Sequence, residues 1–288
     1  MSDKGGRFTG AGPVPSGPSP WGTPDGLPFD VVFADTCIGG STVAARLART
    51  RRGLRAFYLA DYAVNPLGVK SKPEVRDALD RWIDAARGLA SHLIVACNTA
   101  SVLLRTTPAV SARASSLGIS MFSMVDFAEA LVRENPNGVV GRSVCLMGTE
   151  FTVGNPFYEE LLMAEGAGAV QPLPATRTER AIAHLRHHLP SEQETIREEI
   201  GEAVRDAESI ILACTCFPLV SDVVQALNPA IRLLDPGQGV EGLALKGTGE
   251  GPNLLTVVLT GEALSPEVVE DRAPILFPGW ELEDVVRR

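Results

Sequence analysis

Residues 91–101, SHLIVACNTAS, and residues 208–218, ESIILACTCFP, decide how this chain is read. Each is a polar lead, a short apolar run, Ala-Cys, a threonine and the start of a helix-like stretch. A short apolar run bounded in this way is a strand buried on both faces, and a strand that feeds a helix is one unit of a parallel α/β sheet. Open parallel sheets bind ligands outside the carboxyl ends of their strands. Cys97 and Cys214 therefore both stand where such folds place their sites. The matched context suggests a weak internal duplication, and two similar halves facing each other would bring the two thiols together across a cleft. Cysteine is also among the most buried residue types, and either thiol alone reads as packing; the match between the two contexts singles the pair out. Cys145, in the middle of RSVCLMG at 142–148, reads as packing.

Working outward, apolar runs alternate with amphipathic stretches: FDVVFAD (29–35) with STVAARLARTRR (41–52), then RAFYLAD (55–61) with SKPEVRDALDRWIDAARGLA (71–90). The second helix opens on a capping box, Ser71 with Glu74, and carries Pro73 in its first turn. Val75, Leu79, Trp82, Ile83, Ala86 and Leu89 give it a buried stripe at three- and four-residue spacing. SEQETIREEIGEAVRDA, from Ser191, has a similar stripe in Ile196, Ile200, Ala203, Val204 and Ala207, and it feeds the strand before Cys214. The fold expected is α/β with mostly parallel sheets.

The chain has 288 residues, a net charge of −9 and 45% hydrophobic residues, enough for one large or two small cores. Residues 1–28, dense in Gly, Pro and Ser, are expected to be a flexible leader. No apolar run is long enough for a membrane-spanning helix, and no signal-peptide pattern is present, so the expected location is the cytoplasm with no membrane partner. The acidic balance and the lack of a basic cluster argue against nucleic acid as a partner. An odd number of cysteines, five, in a chain of this size points to free thiols. C-x-C at 214–216 with no second close pair is not ordinary structural zinc spacing, so no metal is expected. HLRHH at 184–188 reads as a solvated helix face, and Gly39-Gly40 as a tight turn into a helix.

In order along the chain, DTCIGG (35–40), ADYAVNPLGVKS (60–71), ACNTAS (96–101), GTEFTV (148–153), ACTCFPL (213–219), LLDPG (233–237) and VVLTGE (257–262) together resemble the cofactor-independent glutamate racemases and the wider aspartate/glutamate racemase superfamily. The resemblance implies two pseudo-symmetric three-layer α/β domains with the active site in the cleft between them. One would comprise 29–124 plus 233–288 and the other 125–232, with VVLTGE as the last strand. It implies racemisation of glutamate or a related acidic amino acid without pyridoxal phosphate or metal, Cys97 and Cys214 exchanging the α-proton from opposite faces. Asp35 matches the acid beside the first cysteine. Thr36, Asn98, Thr99, Thr149, Thr152 and Thr215 match substrate-holding positions, and Pro66, Leu67 and Gly68 a substrate-facing loop. Relatives of this kind are commonly homodimers.

Three positions depart from the pattern. Cys216 stands where glutamate racemases carry a histidine that assists the second cysteine, Cys37 replaces a glycine, and Leu67 replaces a tyrosine. A Cys216→His exchange is expected to retain or improve turnover. The departures leave two alternatives: a related isomerase or decarboxylase of a small carboxylate, and a catalytically silent relative that binds an anionic metabolite.

Overall fold

The computed structural model describes residues 27–245 and 249–288. Residues 1–26 of the expected leader lie outside the described residues.

Two parallel sheets organise the molecule. The larger contains β1 (Val31–Asp35), β2 (Arg55–Asp61), β3 (His92–Val95), β4 (Ser120–Ser123), β9 (Asn253–Thr260) and β10 (Trp280–Arg287), in the order β10-β9-β2-β1-β3-β4. The smaller contains β5 (Ser143–Gly148), β6 (Ala169–Pro174), β7 (Ser209–Ala213) and β8 (Arg232–Leu234), in the order β6-β5-β7-β8. Every pairing between named strands is parallel. The run β2-β1-β3-β4 repeats as β6-β5-β7-β8, so the duplication suggested by the two cysteine segments extends to strand order. In each sheet the first strand is central, its successor pairs on one side and the third strand on the other. The strand order therefore reverses beside β1 and again beside β5, and such reversals open the crevices in which parallel sheets bind ligands.

Between strands run α1 (Ser41–Thr50), α2 (Lys72–Ala86), α3 (Asn98–Arg105), α4 (Pro108–Ser116), α5 (Met124–Glu134), α6 (Glu150–Gly154), α7 (Pro156–Ala164), α8 (Thr176–Ala183), α9 (Pro190–Asp206), α10 (Ser221–Leu227) and α11 (Pro266–Leu276). The capping box of α2 forms, the Ser71 amide donating to the Glu74 carboxylate at 2.9 Å. Parallel strands covered by helices on both faces must be apolar throughout, and β1 and β7 are buried along their whole length.

Several sequence expectations are corrected. Leu89 and Ala207 lie just past the ends of α2 and α9, although both stay buried. VVLTGE is not the last strand: β9 is followed by α11 and by β10, which pairs along it from Trp280 to Arg287. HLRHH is not a helix face, because α8 stops at Ala183 and Leu185 takes a positive φ of 53°, which breaks the helical path. The boundary at 232/233 would cut β8, whose Leu233 and Leu234 pair with Ile210 and Ile211 in the smaller sheet.

Candidate active site

The carboxyl ends of β1 and β3 deliver the first half of the site. β1 ends on Asp35, which is 1% exposed. Its Oδ1 accepts the Thr36 amide and its Oδ2 the Gly40 amide, both at 2.6 Å. Gly40 precedes α1, and a Cβ there would lie 2.8 Å from the Ala96 Cβ and 2.9 Å from the Tyr58 hydroxyl, so glycine allows β1, β3 and the α1 start to meet. Cys97 immediately precedes α3, extended in backbone and buried, with its sulfur 3.7 Å from the Thr36 hydroxyl.

The ends of β5 and β7 deliver the second half. Thr149 caps α6 by accepting the Thr152 amide at 3.2 Å, which turns the Thr149 and Thr152 hydroxyls toward each other at 3.0 Å. Cys214 follows β7 and is 8% exposed. Thr215 reaches back across the halves, donating its hydroxyl to Asp35 Oδ2 at 3.2 Å, while its carbonyl accepts from the Thr42 hydroxyl at 2.9 Å.

Two further residues, Thr99 and Asn98, reach across between the halves. Thr99 meets the hydroxyls of Thr149 and Thr152 at 3.2 and 3.3 Å. Asn98, next to Cys97, faces the Tyr158 hydroxyl; its carboxamide satisfies every neighbour when the nitrogen is assigned toward that hydroxyl, and its oxygen then accepts the amides of Cys214 and Thr215 at 3.3 Å each. The two strand ends bearing Cys97 and Cys214 are thus tied through the residue following each cysteine. Pro66, Leu67 and Gly68 sit on a loop packed against α3 and α6, where a Cβ on Gly68 would come within 2.6 Å of the Phe151 Cβ. Leu67 is buried in the same apolar cluster as Cys97.

Burial sets the electrostatics. It raises Asp35 to about 6, against the lowering effect of its backbone donors and of Cys97 and Thr215. Burial, with Asp35 next, also pushes the Cys97 thiol well above the ordinary thiol range. The hydrogen bond from Cys216 pulls Cys37 down, but burial and the charges of Asp35 and Glu179 outweigh it and hold that thiol at about 12. Cys216 is raised by its contacts with Cys214 and Cys37 and by burial.

All the expected site residues except the Pro66–Gly68 loop are brought into this hydrogen-bonded region. Sequence reading missed Thr42, Tyr158 and Glu179. Thr42 and Glu179 lie on helices outside every recognised box, and Tyr158 looks like one more apolar position on α7. Cys145 is fully buried in mid-strand, as expected of a packing residue. Cavities of about 740 and 400 Å³ lie along α11, β10 and the outer side of α1, away from Cys97 and Cys214. Asp35, Thr36, Cys97, Asn98, Thr99, Thr152, Cys214 and Thr215 are all buried.

The duplicated parallel sheets, with thiols and a buried carboxylate at the facing strand ends, define an α/β protein of two similar halves. Residues 60–239, more than half of the chain, match the family model for Asp/Glu/hydantoin racemases, and the chain belongs to that family. It is a racemase, an isomerase by class. The glutamate racemase of Persephonella marina is 28% identical over 250 residues, spanning 82% of this chain and 90% of that protein. The crystal structure of Campylobacter jejuni glutamate racemase superposes with a TM-score of 0.71 at 19% identity, covering 85% of this chain and 96% of that one. Escherichia coli glutamate racemase, solved with L-glutamate and the activator UDP-MurNAc-Ala, gives 0.66 at 22% identity, covering 89% and 98%. Among the described residues no helix is long and apolar enough to cross a membrane.

Proposed function

We propose that this chain racemises glutamate or a closely related acidic amino acid, with Cys97 and Cys214 as the acid/base pair and neither pyridoxal phosphate nor metal in the proton transfer. One observation carries the reading: the strand ends bearing the two cysteines meet, Thr215 beside Cys214 donating to Asp35, whose neighbour Thr36 touches the Cys97 sulfur, and Thr99 reaching Thr149 and Thr152. A racemase needs two groups flanking one carbon, each able to act as acid in one direction and base in the other, and a thiol suits both tasks near neutrality once its surroundings tune it. One thiolate takes the α-hydrogen as a proton, leaving the electron pair on the α-carbon. The opposite thiol then protonates the other face, and the two sulfurs have exchanged states.

Asp35 is ionised above about pH 6 and takes up the proton of Cys97. The substrate ammonium supplies the positive charge that brings this buried thiol within range. Thr36, Thr99, Thr149, Thr152 and Thr215 hold the carboxylates, exchanging the hydroxyl contacts they now make, among Thr99, Thr149 and Thr152, from Thr36 to Cys97 and from Thr215 to Asp35, for contacts with substrate. Cys216, beside Cys214, assists the second sulfur. Pro66, Leu67 and Gly68 close over the substrate from the α3 side. The lobes are residues 29–124 with 235–288, and 125–234, the chain acting as a homodimer. The five free thiols suit a reducing cytoplasm, where D-glutamate formed in a bacterium would enter cell-wall peptidoglycan.

The test is solvent exchange. Single enantiomers of glutamate and aspartate incubated in deuterated water should acquire deuterium at the α-carbon and lose optical rotation together. Exchange of no acidic amino acid defeats the proposal. Ligand-induced thermal stabilisation without exchange would instead favour the metabolite-binding alternative, which the altered helper position at Cys216 and Leu67 in place of a tyrosine support.

A further inference from the structure

Cys37, in the turn after β1, and Cys216, in the turn after β7, come from opposite halves and touch, sulfur to sulfur at 3.6 Å. Glu179, on α8, joins them: one ligand atom from each of the three lies within 4.8 Å of the other two. We propose that Cys37, Cys216 and Glu179 form a binding site for a thiophilic divalent cation of the Zn²⁺ class, with one coordination position left for an external donor.

The separation of the sulfurs favours this reading. Two thiolates at about 2.3 Å from a tetrahedral Zn²⁺ stand roughly 3.8 Å apart, whereas a disulfide brings them to about 2.05 Å. The observed 3.6 Å fits the metal with little movement of either sulfur. Both are also held in place. The Gly39 amide lies 3.3 Å from the Cys37 sulfur, and the Tyr58 hydroxyl holds the Cys37 carbonyl at 3.0 Å. Cys216 packs so closely on Gly39 that a Cβ there would fall 2.4 Å from its sulfur. Ligands fixed by their own surroundings lose little freedom when a metal arrives.

The C-x-C spacing of Cys214 and Cys216 does not bear on this set, because the second thiol comes from the other half of the chain. On binding, two S–H bonds break, two metal–sulfur bonds and one metal–oxygen bond form, and the two thiol protons, with that of the Glu179 carboxyl where it is protonated, pass to solvent; no electron is transferred. Two thiolates and one carboxylate leave the dication with a net charge of −1 and a vacant tetrahedral position, the arrangement of zinc sites that bind an exchangeable ligand. A water or a carboxylate would fill it.

The test uses the full-length protein, freed of metal by a chelator and titrated with Co²⁺. We expect one equivalent to give a sulfur-to-cobalt charge-transfer band and the strong d–d absorption of a tetrahedral site. Zn²⁺ should displace it, and X-ray absorption of the Zn²⁺ form should count two sulfurs at about 2.3 Å. Cys37→Ser and Cys216→Ser should each weaken binding at least tenfold, while Cys97→Ser leaves the spectrum unchanged. No charge-transfer band in the unsubstituted protein, no sulfur around the Zn²⁺, or a band kept by Cys37→Ser and lost in Cys97→Ser would overturn the assignment. The spectrum and sulfur count of the unsubstituted protein decide the matter even if a variant misfolds, and neither depends on whether any amino acid is racemised.

Discussion

Thr215 donates its hydroxyl to Asp35 at 3.2 Å, joining the turn after β7 to the end of β1. The same carboxylate holds the amides of Thr36 and Gly40, so one buried acid is bound by donors from both halves of the molecule. The side chains between the strand ends are buried, so a substrate lodged among them would part those ends. Parting them hydrates Asp35 and removes one of its donors. The ionisation of this residue is therefore linked to closure.

That link gives a pH dependence. Asp35 sits at about 6 against an ordinary 3.8, and Glu179 at about 7 against 4.5, burial being the first cause in both. A carboxyl raised in the folded state binds its proton more tightly there than in the unfolded chain. Its stabilisation is complete below the unfolded value and is lost as pH rises through the folded one. For Asp35 the loss between about pH 4 and 6 is of order 3 kcal/mol. Urea midpoints should show Asp35→Asn gaining on the parent as pH rises across this window, and Glu179→Gln doing so between about 4.5 and 7. Parallel pH profiles for parent and variants would show that these acids are not buried in solution.

Removal of either sulfur should stop the chemistry. Cys97→Ser and Cys214→Ser are each expected to lower α-deuterium incorporation by roughly 10²- to 10⁴-fold, the usual contribution of a positioned general acid or base. A serine hydroxyl is far too weak an acid to replace a thiol in either direction. Their circular dichroism should match the parent, since serine nearly conserves the volume. Parental turnover in Cys97→Ser would end the two-base reading.

The architecture was legible because parallel strands buried on both faces must be continuous apolar runs, and FDVVFAD and SIILAC have no other reading at that length. The candidate site was legible where it lies on those strand ends: Cys97 and Cys214 each stand just past one, while Asp35, the last residue of β1, was marked only by the family resemblance. What was not legible depends on pairing between distant segments. Nothing local marks Glu179 on α8 as a neighbour of Cys37 and Cys216, because only the crossing of the two halves brings them together. β8 was misassigned for the same reason, since three residues carry too little pattern to say which sheet they join.

Gly40 offers a test of close packing. A Cβ there would meet the Ala96 carbonyl and the Tyr58 hydroxyl, each at 2.9 Å, and neither has free room to retreat. Gly40→Ala should cost about 1–3 kcal/mol in urea unfolding and displace the amide that holds Asp35. Gly154→Ala, where a Cβ meets nothing within 4 Å, serves as the control and should be neutral or slightly stabilising. Equal effects from the two would mean that the β1–α1 turn is looser than it stands here.

Packing also adds a condition to the Cys216→His exchange. Cys216 is 1% exposed and wedged between Gly39 and the Cys37 sulfur, so an imidazole in place of the thiol has no space. Cys216→His alone should lose about 1–3 kcal/mol to over-packing and show reduced exchange, rather than the retained or improved turnover expected from sequence. Cys37→Gly removes the opposing sulfur and makes room for the ring. The double variant should therefore be more stable than the sum of the single changes predicts, with a coupling of about 0.5–3 kcal/mol, and its exchange rate should exceed that of Cys216→His. Unfolding curves and exchange rates for the parent, the two single variants and the double variant close the cycle. Strict additivity would show that Cys37 and Cys216 occupy their positions independently, and the 3.6 Å contact would then carry no energetic weight.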